Sequence, residues 1–387
     1  MKELLKTNYQ CIKELLKEKN NDEDFYKLFI LLSFLNYSGV DVVFQYPGSK
    51  QKMKKELIYC LNSLVVEKVK KTNKGFKIFI DGFVGAMNST IVLMDELVFL
   101  GFEKVIVNDI NPCLVQVHFD IRNRPNELIS EYLEIITTKY FKNYGGIFLE
   151  KEQYEQIHYE LNEEFMKLQK NNEFGIRTSI IFLLLQGTTY SGIPRYDKSK
   201  KAKSTDFKFS KKIYDIDRYH SVLLNQIPKI RKFSKIYNKI DIEFRNEDFF
   251  NLVEEFRTNK EVLFNLDVPY FEELKEEDTA NKMSLETTSK DLKDCAIDYN
   301  QKFDHIRILK ELDNLNFIYN NNAHPILNYY ANEFNINVGT FIRNEVTSSK
   351  LGETTKKVKE LILFKNSLLN KSVATNQSSY RPIELVA

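Results

Sequence analysis

The chain is poor in the residues that build many specialised sites. Tryptophan is absent, and 387 residues include only 4 cysteines and 5 histidines. Cys11, Cys60, Cys113 and Cys295 are scattered and form no CxxC pair. That excludes a cysteine zinc site and a disulfide framework, and it fits buried thiols in a reducing cytoplasm. The histidines show no metal-ligand spacing, so no metal is expected. The most apolar run, Ile180 to Leu185, is far too short to span a bilayer. The amphipathic, charged stretch from Met1 to Lys19 lacks the apolar core of a signal peptide. No GxGxxG fingerprint occurs, which argues against a dinucleotide-dependent dehydrogenase.

Hydrophobic residues make up 43% and charged residues 28%, the balance of a soluble globular protein of two or three units. The formal net charge of +2 hides an uneven distribution. Between Arg195 and Ile240 there are fourteen Lys or Arg residues against four Asp. Such a basic segment suits a polyanionic partner, although a charge run can also be a solvated face.

Apolar periodicity outlines the fold. Residues 1–40 read as helical, with Leu4, Leu5, Ile12, Leu15 and Leu16 at helical spacing. Lys77-Ile-Phe-Ile-Asp81 is a short apolar run ending in an acid, followed by the turn Gly82 to Ala86 and a helical pattern over Ser89 to Leu100. Lys104 to Asp109 is a second such run, so the stretch reads as a βαβ unit with a buried parallel sheet. Helices are expected over 125–180. Strands are expected at Ile240–Phe244, Glu261–Asp267, Phe317–Tyr319 and Val358–Phe364, and helices at Asp304–Leu315 and Ile326–Phe334. Residues 272–300 are polar and read as a mobile loop. The expected class is α/β, a doubly wound sheet interrupted by a helical, basic insert.

Three sets of residues could carry chemistry. Asp81-Gly-Phe-Val-Gly85 follows a strand and could let the backbone approach a nucleoside, though glycine turns after strands are common. Asp109 lies 28 residues further on, also at a strand end. An acid there can accept hydrogen bonds from ribose hydroxyls or simply cap a helix. Asp267-Val-Pro-Tyr270 also follows an apolar run. The Asp267 carboxylate and the Val268 carbonyl can each accept an N–H of an exocyclic amine, Pro269 stiffens the loop and Tyr270 can stack on a base. An ordinary strand-to-loop exit has similar composition.

Taken in order, these segments resemble the Dam-like family of adenine-N6 DNA methyltransferases over roughly residues 44–366. Tyr46-Pro-Gly-Ser-Lys50 looks like the family's aromatic-x-Gly-Gly-Lys opening, Asp81 to Gly85 like its acid-Pro-Phe-x-Gly loop, and Asn108-Asp109-Ile-Asn111 like its Asn-Asp-x-Asn segment. Tyr190 to Arg195, Asp248-Phe249, Asp267 to Tyr270, Phe303-Asp-His305 and Lys357 to Leu361 resemble later elements. Three positions depart from the pattern. Gly82 and Val268 replace prolines, and Met87 replaces a glycine.

The resemblance implies a Rossmann-like methyltransferase that uses S-adenosylmethionine on a flipped adenine in double-stranded DNA. It assigns Asp267, Val268, Pro269 and Tyr270 to the target base. Tyr46, Gly48, Lys50, Asp81, Phe83, Gly85, Asp109, Asp248 and Phe249 would line the cofactor. Arg195, Lys200, Lys201, Lys203 and Arg218 are candidate DNA contacts. The implied organisation is a helical appendage (1–40), a catalytic domain (41–124 and 240–370), a target-recognition insert (125–239) and a polar tail (371–387). A cytoplasmic monomer, without membrane contact and with a companion restriction endonuclease, completes the expectation. The alternatives are a weak or degenerate DNA-binding homologue, or an amino-methyltransferase acting on cytosine N4 or RNA.

Overall fold

A computed structural model of the chain describes residues 42–44, 50, 53–147, 149–189, 195–196, 205–207, 216–268, 305–312, 315–322, 327, 331, 336–349, 352–365 and 383–384. The expected helices at 1–40 and the polar loop at 272–300 lie outside them. The chain forms two compact units, one of residues 1–49, 85–87 and 111–239, the other of residues 50–84, 88–110 and 240–387.

The second unit is built on an eight-stranded sheet. Its strands are β1 (Ile78–Asp81), β2 (Lys104–Asn108), β5 (Asp241–Arg245), β6 (Val262–Asp267), β7 (Phe317–Asn322), β8 (Asn337–Ser349), β9 (Gly352–Lys365) and β10 (Ile383–Glu384). They lie in the order β5-β2-β1-β6-β7-β9-β8-β10. The run from β5 to β7 is parallel, and β9 enters antiparallel between β7 and β8. This is an open, Rossmann-like sheet. The strand order reverses direction beside β1, so the boundary between β1 and β6 is the topological switch point. Open parallel sheets bind ligands outside the carboxyl ends of strands at such a point.

The central strands are apolar on both faces, as burial on both sides requires. Phe79, Leu263, Leu266 and Ile318 are completely buried. Helices α1 (Lys54–Thr72), α2 (Asn88–Phe99), α9 (Phe249–Phe256) and α10 (His305–Leu312) belong to the same unit. In α1 the buried positions Leu57, Cys60, Leu61, Leu64, Val65 and Lys68 recur at three- and four-residue spacing, the mark of one core-facing stripe. Asn73 ends α1 in the left-handed conformation, its N–H donating to the Val69 carbonyl.

The first unit is mainly helical: α3 (Pro112–Asn123), α4 (Pro125–Ile135), α5 (Lys151–Lys170), α6 (Ile176–Thr188), α7 (Ile216–Leu224) and α8 (Gln226–Tyr237). A two-residue ribbon pairs β3 (Arg195–Tyr196) with β4 (Thr205–Asp206). Helix α6 is apolar around its whole circumference, and α3, α4, α5 and α7 pack against it. The helices expected over 125–180 are therefore present as α4 to α6. The tail read as polar contributes β10 to the sheet, beside Gly339 and Thr340 of β8.

Candidate active site

Two acids stand at the switch point. Asp81 is the last residue of β1, and Asp267 is the last residue of β6. The strands are parallel neighbours with Asp81 in register with Asn265. Asp267 therefore ends two residues beyond Asp81 along the same edge.

Asp81 is fully buried, and its Oδ2 accepts hydrogen bonds from Ser89 Oγ at 3.0 Å and from Thr90 Oγ1. Both hydroxyls come from the first turn of α2. Its other oxygen, Oδ1, is buried and has no well-placed hydrogen-bond donor among the described residues. Burial pushes the carboxyl up to about 6, and the nearby charge of Asp267 adds to the rise. Thr90, Ser89 and the Phe83 N–H favour the anion and limit the shift.

Asp267 has a different neighbour. Its Oδ1 lies 2.9 Å from Lys50 Nζ, and Lys50 is completely buried while the Asp267 side chain retains 18% exposure. A buried ammonium needs a close counter-charge, because its desolvation penalty is otherwise severe. The sequence resemblance put Lys50 beside the cofactor. The structure pairs it with Asp267. Val268 follows, buried. Pro269 and Tyr270 lie outside the described residues, as do Tyr46 and Gly48.

The turn after β1 is strapped on both sides. The Gly82 N–H donates to the Asn265 carbonyl of β6 at 3.1 Å, and the Val84 N–H donates to the Asn108 carbonyl of β2 at 2.8 Å. A Cβ at Gly82 would meet Phe249 Cδ2 at 2.7 Å and Leu266 Cδ2 at 3.1 Å. This explains why glycine occupies a position where the family pattern has proline: the Phe249 ring fills the space. Phe83 packs on Phe249 with ring centroids 5.0 Å apart.

Gly85 and Met87 belong to the helical unit. Both have positive φ, +46° and +59°. The Met87 side chain is fully buried. The Gly85 carbonyl faces His118 Nε2 at 2.8 Å, and His118 Nδ1 lies 2.9 Å from the Tyr237 hydroxyl. A carbonyl can only accept, so Nε2 carries the proton and Nδ1 accepts from Tyr237. Burial drives the imidazole down to about 4, keeping it neutral.

Two polar residues singled out in the sequence cap helices. Asp248 is exposed and caps α9, its Oδ1 accepting from the Phe250 N–H at 2.9 Å. Asn111 likewise caps α3, accepting from the Cys113 N–H at 2.9 Å, with Pro112 at the first helical position. Asp109 sits just past β2, partly exposed, with its main-chain carbonyl accepting from Asn246 Nδ2 at 2.7 Å.

Other site residues were not singled out in the sequence. Asn320 donates from Nδ2 to Asn265 Oδ1 at 3.4 Å, and Asn265 Nδ2 donates to Ser89 Oγ at 3.1 Å. Ser89 then donates to Asp81, so one buried chain of polar groups links β7, β6, α2 and β1. The Oδ1 of Asn320 is buried and has no partner among the described residues. The only available signal was the polar run Asn320-Asn-Asn at the end of an apolar strand.

The candidate DNA residues are less defined. Arg195 lies in β3, where it registers with Asp206, and Arg218 lies in α7. Lys200, Lys201 and Lys203 fall outside the described residues. Among the described residues no group of three or more His, Cys, Asp or Glu could hold a metal. No described helix is long and apolar enough to cross a membrane.

The arrangement is thus a Rossmann-like sheet with paired acids at its switch point and a helical unit inserted in the sequence. The family model of the D12 class N6 adenine-specific DNA methyltransferases matches residues 46–336. The chain belongs to that family. It is therefore a DNA adenine-N6 methyltransferase. No curated protein sequence matches the chain. The matched span of the methyltransferase covers every strand from β1 to β7, including both acid-bearing strand ends.

Proposed function

We propose that the methyl donor is S-adenosylmethionine and that the target adenine is turned out of double-stranded DNA to meet it at the carboxyl ends of β1 and β6. The observation that carries this reading is the contrast at those ends. A buried acid with an unfilled acceptor, Asp81 Oδ1, stands beside a partly exposed, ion-paired acid, Asp267. The first suits a cationic ligand and the second suits an amine arriving from solvent. When bound, S-adenosylmethionine supplies an electrophilic methyl group on a sulfonium.

Asp81, Phe83 and Gly85 serve the methionine end, Asp109 serves the ribose, and Asp248 with Phe249 borders the adenine of the cofactor. The family resemblance assigns Tyr46 and Gly48 to the cofactor as well. Asp267 and the Val268 carbonyl accept the two N6 hydrogens of the target, aligning the nitrogen lone pair with the methyl group. These hydrogen bonds strengthen as positive charge grows on nitrogen, which lowers the barrier selectively. Tyr270 stacks on the base and Pro269 stiffens the loop. Lys50 holds the Asp267 carboxylate in place through its ion pair to Oδ1.

Extruding the base costs a few kcal/mol, which phosphate contacts offset. Arg195, Lys200, Lys201, Lys203 and Arg218 of the basic segment are the proposed sources. A cytoplasmic monomer working beside a restriction endonuclease fits this reading, as do the buried free thiols of Cys60 and Cys113.

The test is methyl transfer from labelled S-adenosylmethionine by the purified protein, followed by identification of the modified base. N6-methyladenine in duplex DNA is the expected product. Methylated cytosine, or transfer confined to RNA, would replace this reading. Failure both to bind the donor at millimolar concentration and to methylate any adenine-containing duplex would leave a degenerate DNA-binding relative.

A further inference from the structure

Strands β8 and β9 form a hairpin far longer than the sheet that carries it. They pair continuously from Asn337↔Phe364 to Ser349↔Gly352. The neighbouring strand β7 ends at Asn322, in register with Glu360, and β10 pairs only with Gly339 and Thr340. From Ile342↔Lys359 to Ser349↔Gly352, eight residue pairs have no third strand among the described residues. At about 3.4 Å per residue they make an arm of roughly 25 Å. Because β9 is antiparallel to β7, the arm extends past the carboxyl end of β7. That is the end of the sheet where Asp81 and Asp267 stand.

A free two-stranded ribbon with no core of its own is marginal in water. Its composition does not supply a buried face either, since the pairs alternate polar and apolar on both sides. Register sorts its charges. Cross-strand partners share a face, and faces alternate along each strand. One face takes Phe341 with Glu360, Arg343 with Val358, and Glu345 with Lys356. In register, that face carries two cations and two acids. The opposite face takes Ile342 with Lys359, Asn344 with Lys357, and Val346 with Thr355, and it meets an acid only near the tip, where Ser348 faces Glu353. Lys357 and Lys359 therefore stand about 7 Å apart on one face, at the root of the arm, with no acid in register beside them.

We infer that this arm is a nucleic-acid contact, in which the Lys357 and Lys359 face lies against the phosphates of the DNA duplex next to the target base. The inference rests on the proposal that the enzyme acts on duplex DNA, and it adds a second binding element remote in sequence from the basic segment at 195–240. A two-stranded ribbon is a shape that the major groove of B-DNA admits. Lys359 is one residue beyond the register of Asn322, so the unmatched charge begins where the parallel strands end. Phosphate contacts there would hold the duplex while its base is withdrawn.

The test is K357T/K359T in the full-length protein. Threonine keeps strand propensity and removes both charges. Duplex affinity is measured across a range of salt concentrations, alongside S-adenosylmethionine binding. The expected result is a flatter dependence of log affinity on log salt, by roughly 0.9 for each phosphate that is no longer neutralised, with cofactor affinity unchanged. K356T, on the charge-matched face, should have a smaller effect. A salt slope equal to that of the wild type in K357T/K359T, with cofactor binding intact, overturns the inference while leaving the DNA reading standing. An equal loss in K356T overturns the assignment of the contact to one face. A wild type with no salt-dependent affinity for duplex DNA removes both the arm and the DNA reading beneath it.

Discussion

The exits of β1 and β6 differ more than their sequences suggest. Each strand ends in an aspartate. At β1 the acid is sealed from solvent, bound by two hydroxyls and faced by no cation among the described residues. At β6 the acid keeps some exposure and is paired with a buried lysine. Burial without a counter-ion makes Asp81 an acid whose charge is costly and is stabilised by any cation that arrives. Pairing with Lys50 gives the Asp267 carboxylate a counter-charge and a fixed direction. One residue type thus yields a receptor for positive charge and an oriented acceptor for an amine.

The strongest way to break this comparison is Asp267→Asn. The amide keeps the shape but loses the charge and presents donors to an incoming amine. Turnover should fall by about 10²–10³-fold or more, the scale for loss of one transition-state hydrogen bond in a preorganised site. The dissociation constant of S-adenosylmethionine should change by no more than about threefold, well under the 1.4 kcal/mol of a tenfold effect. Calorimetry and a tritium-transfer assay read the two quantities separately. Parallel losses in both would mean that Asp267 serves the cofactor and that the two exits do not divide the work.

The next effect belongs to Asp81 and depends on pH. Its anion is the form that attracts a cationic ligand, and that form predominates above the carboxyl value of about 6. Acidification below that value should weaken S-adenosylmethionine binding, approaching tenfold per pH unit as the proton competes with the ligand. Asp81→Asn should bind weakly at every pH and abolish this dependence. A wild-type affinity that stays constant from pH 7.5 to pH 5 would separate Asp81 from the cofactor.

These two exits also show what could be read from the chain. Strands β1, β2 and β6 were legible because a buried parallel strand is apolar on both faces and leaves a continuous run, whereas β5, at the sheet edge, showed through the alternation of Ile240, Ile242 and Phe244 with acids. Strand β8 was not, since Asn337 to Ser349 mixes polar and apolar residues without a clean period. Asp81, Asp109 and Asp267 were legible as acids ending apolar runs. The pairing of Lys50 with Asp267 was not, because no local pattern links residues so far apart in sequence. Ser89, Asn265 and Asn320 were hidden for the same reason, as only the register of three adjacent strands and a helix start joins them. Conversely, Asp248 and Asn111 stood out in the sequence as members of motifs, and the helices they cap account for much of that signal.

The smallest expected effect lies in the turn after β1, at Met87. Its φ of +59° is left-handed, a conformation that costs an L-residue with a Cβ roughly 1–2 kcal/mol and costs glycine almost nothing. The family pattern has glycine there, which suggests Met87→Gly as a repair. Burial argues otherwise. The methionine side chain is fully enclosed, and removing a buried side chain of that size costs about 2–5 kcal/mol. Met87→Gly should therefore lower stability overall, despite relieving the backbone. Met87→Ala separates the two contributions, because it loses the same packing and keeps the strain. In ordinary helical or extended backbone, alanine is the more stable of the pair by roughly 0.5–1 kcal/mol. Here the order should reverse, with Met87→Gly more stable than Met87→Ala by about 1 kcal/mol in denaturant melts. If alanine proves the better replacement, the left-handed turn is not retained in solution.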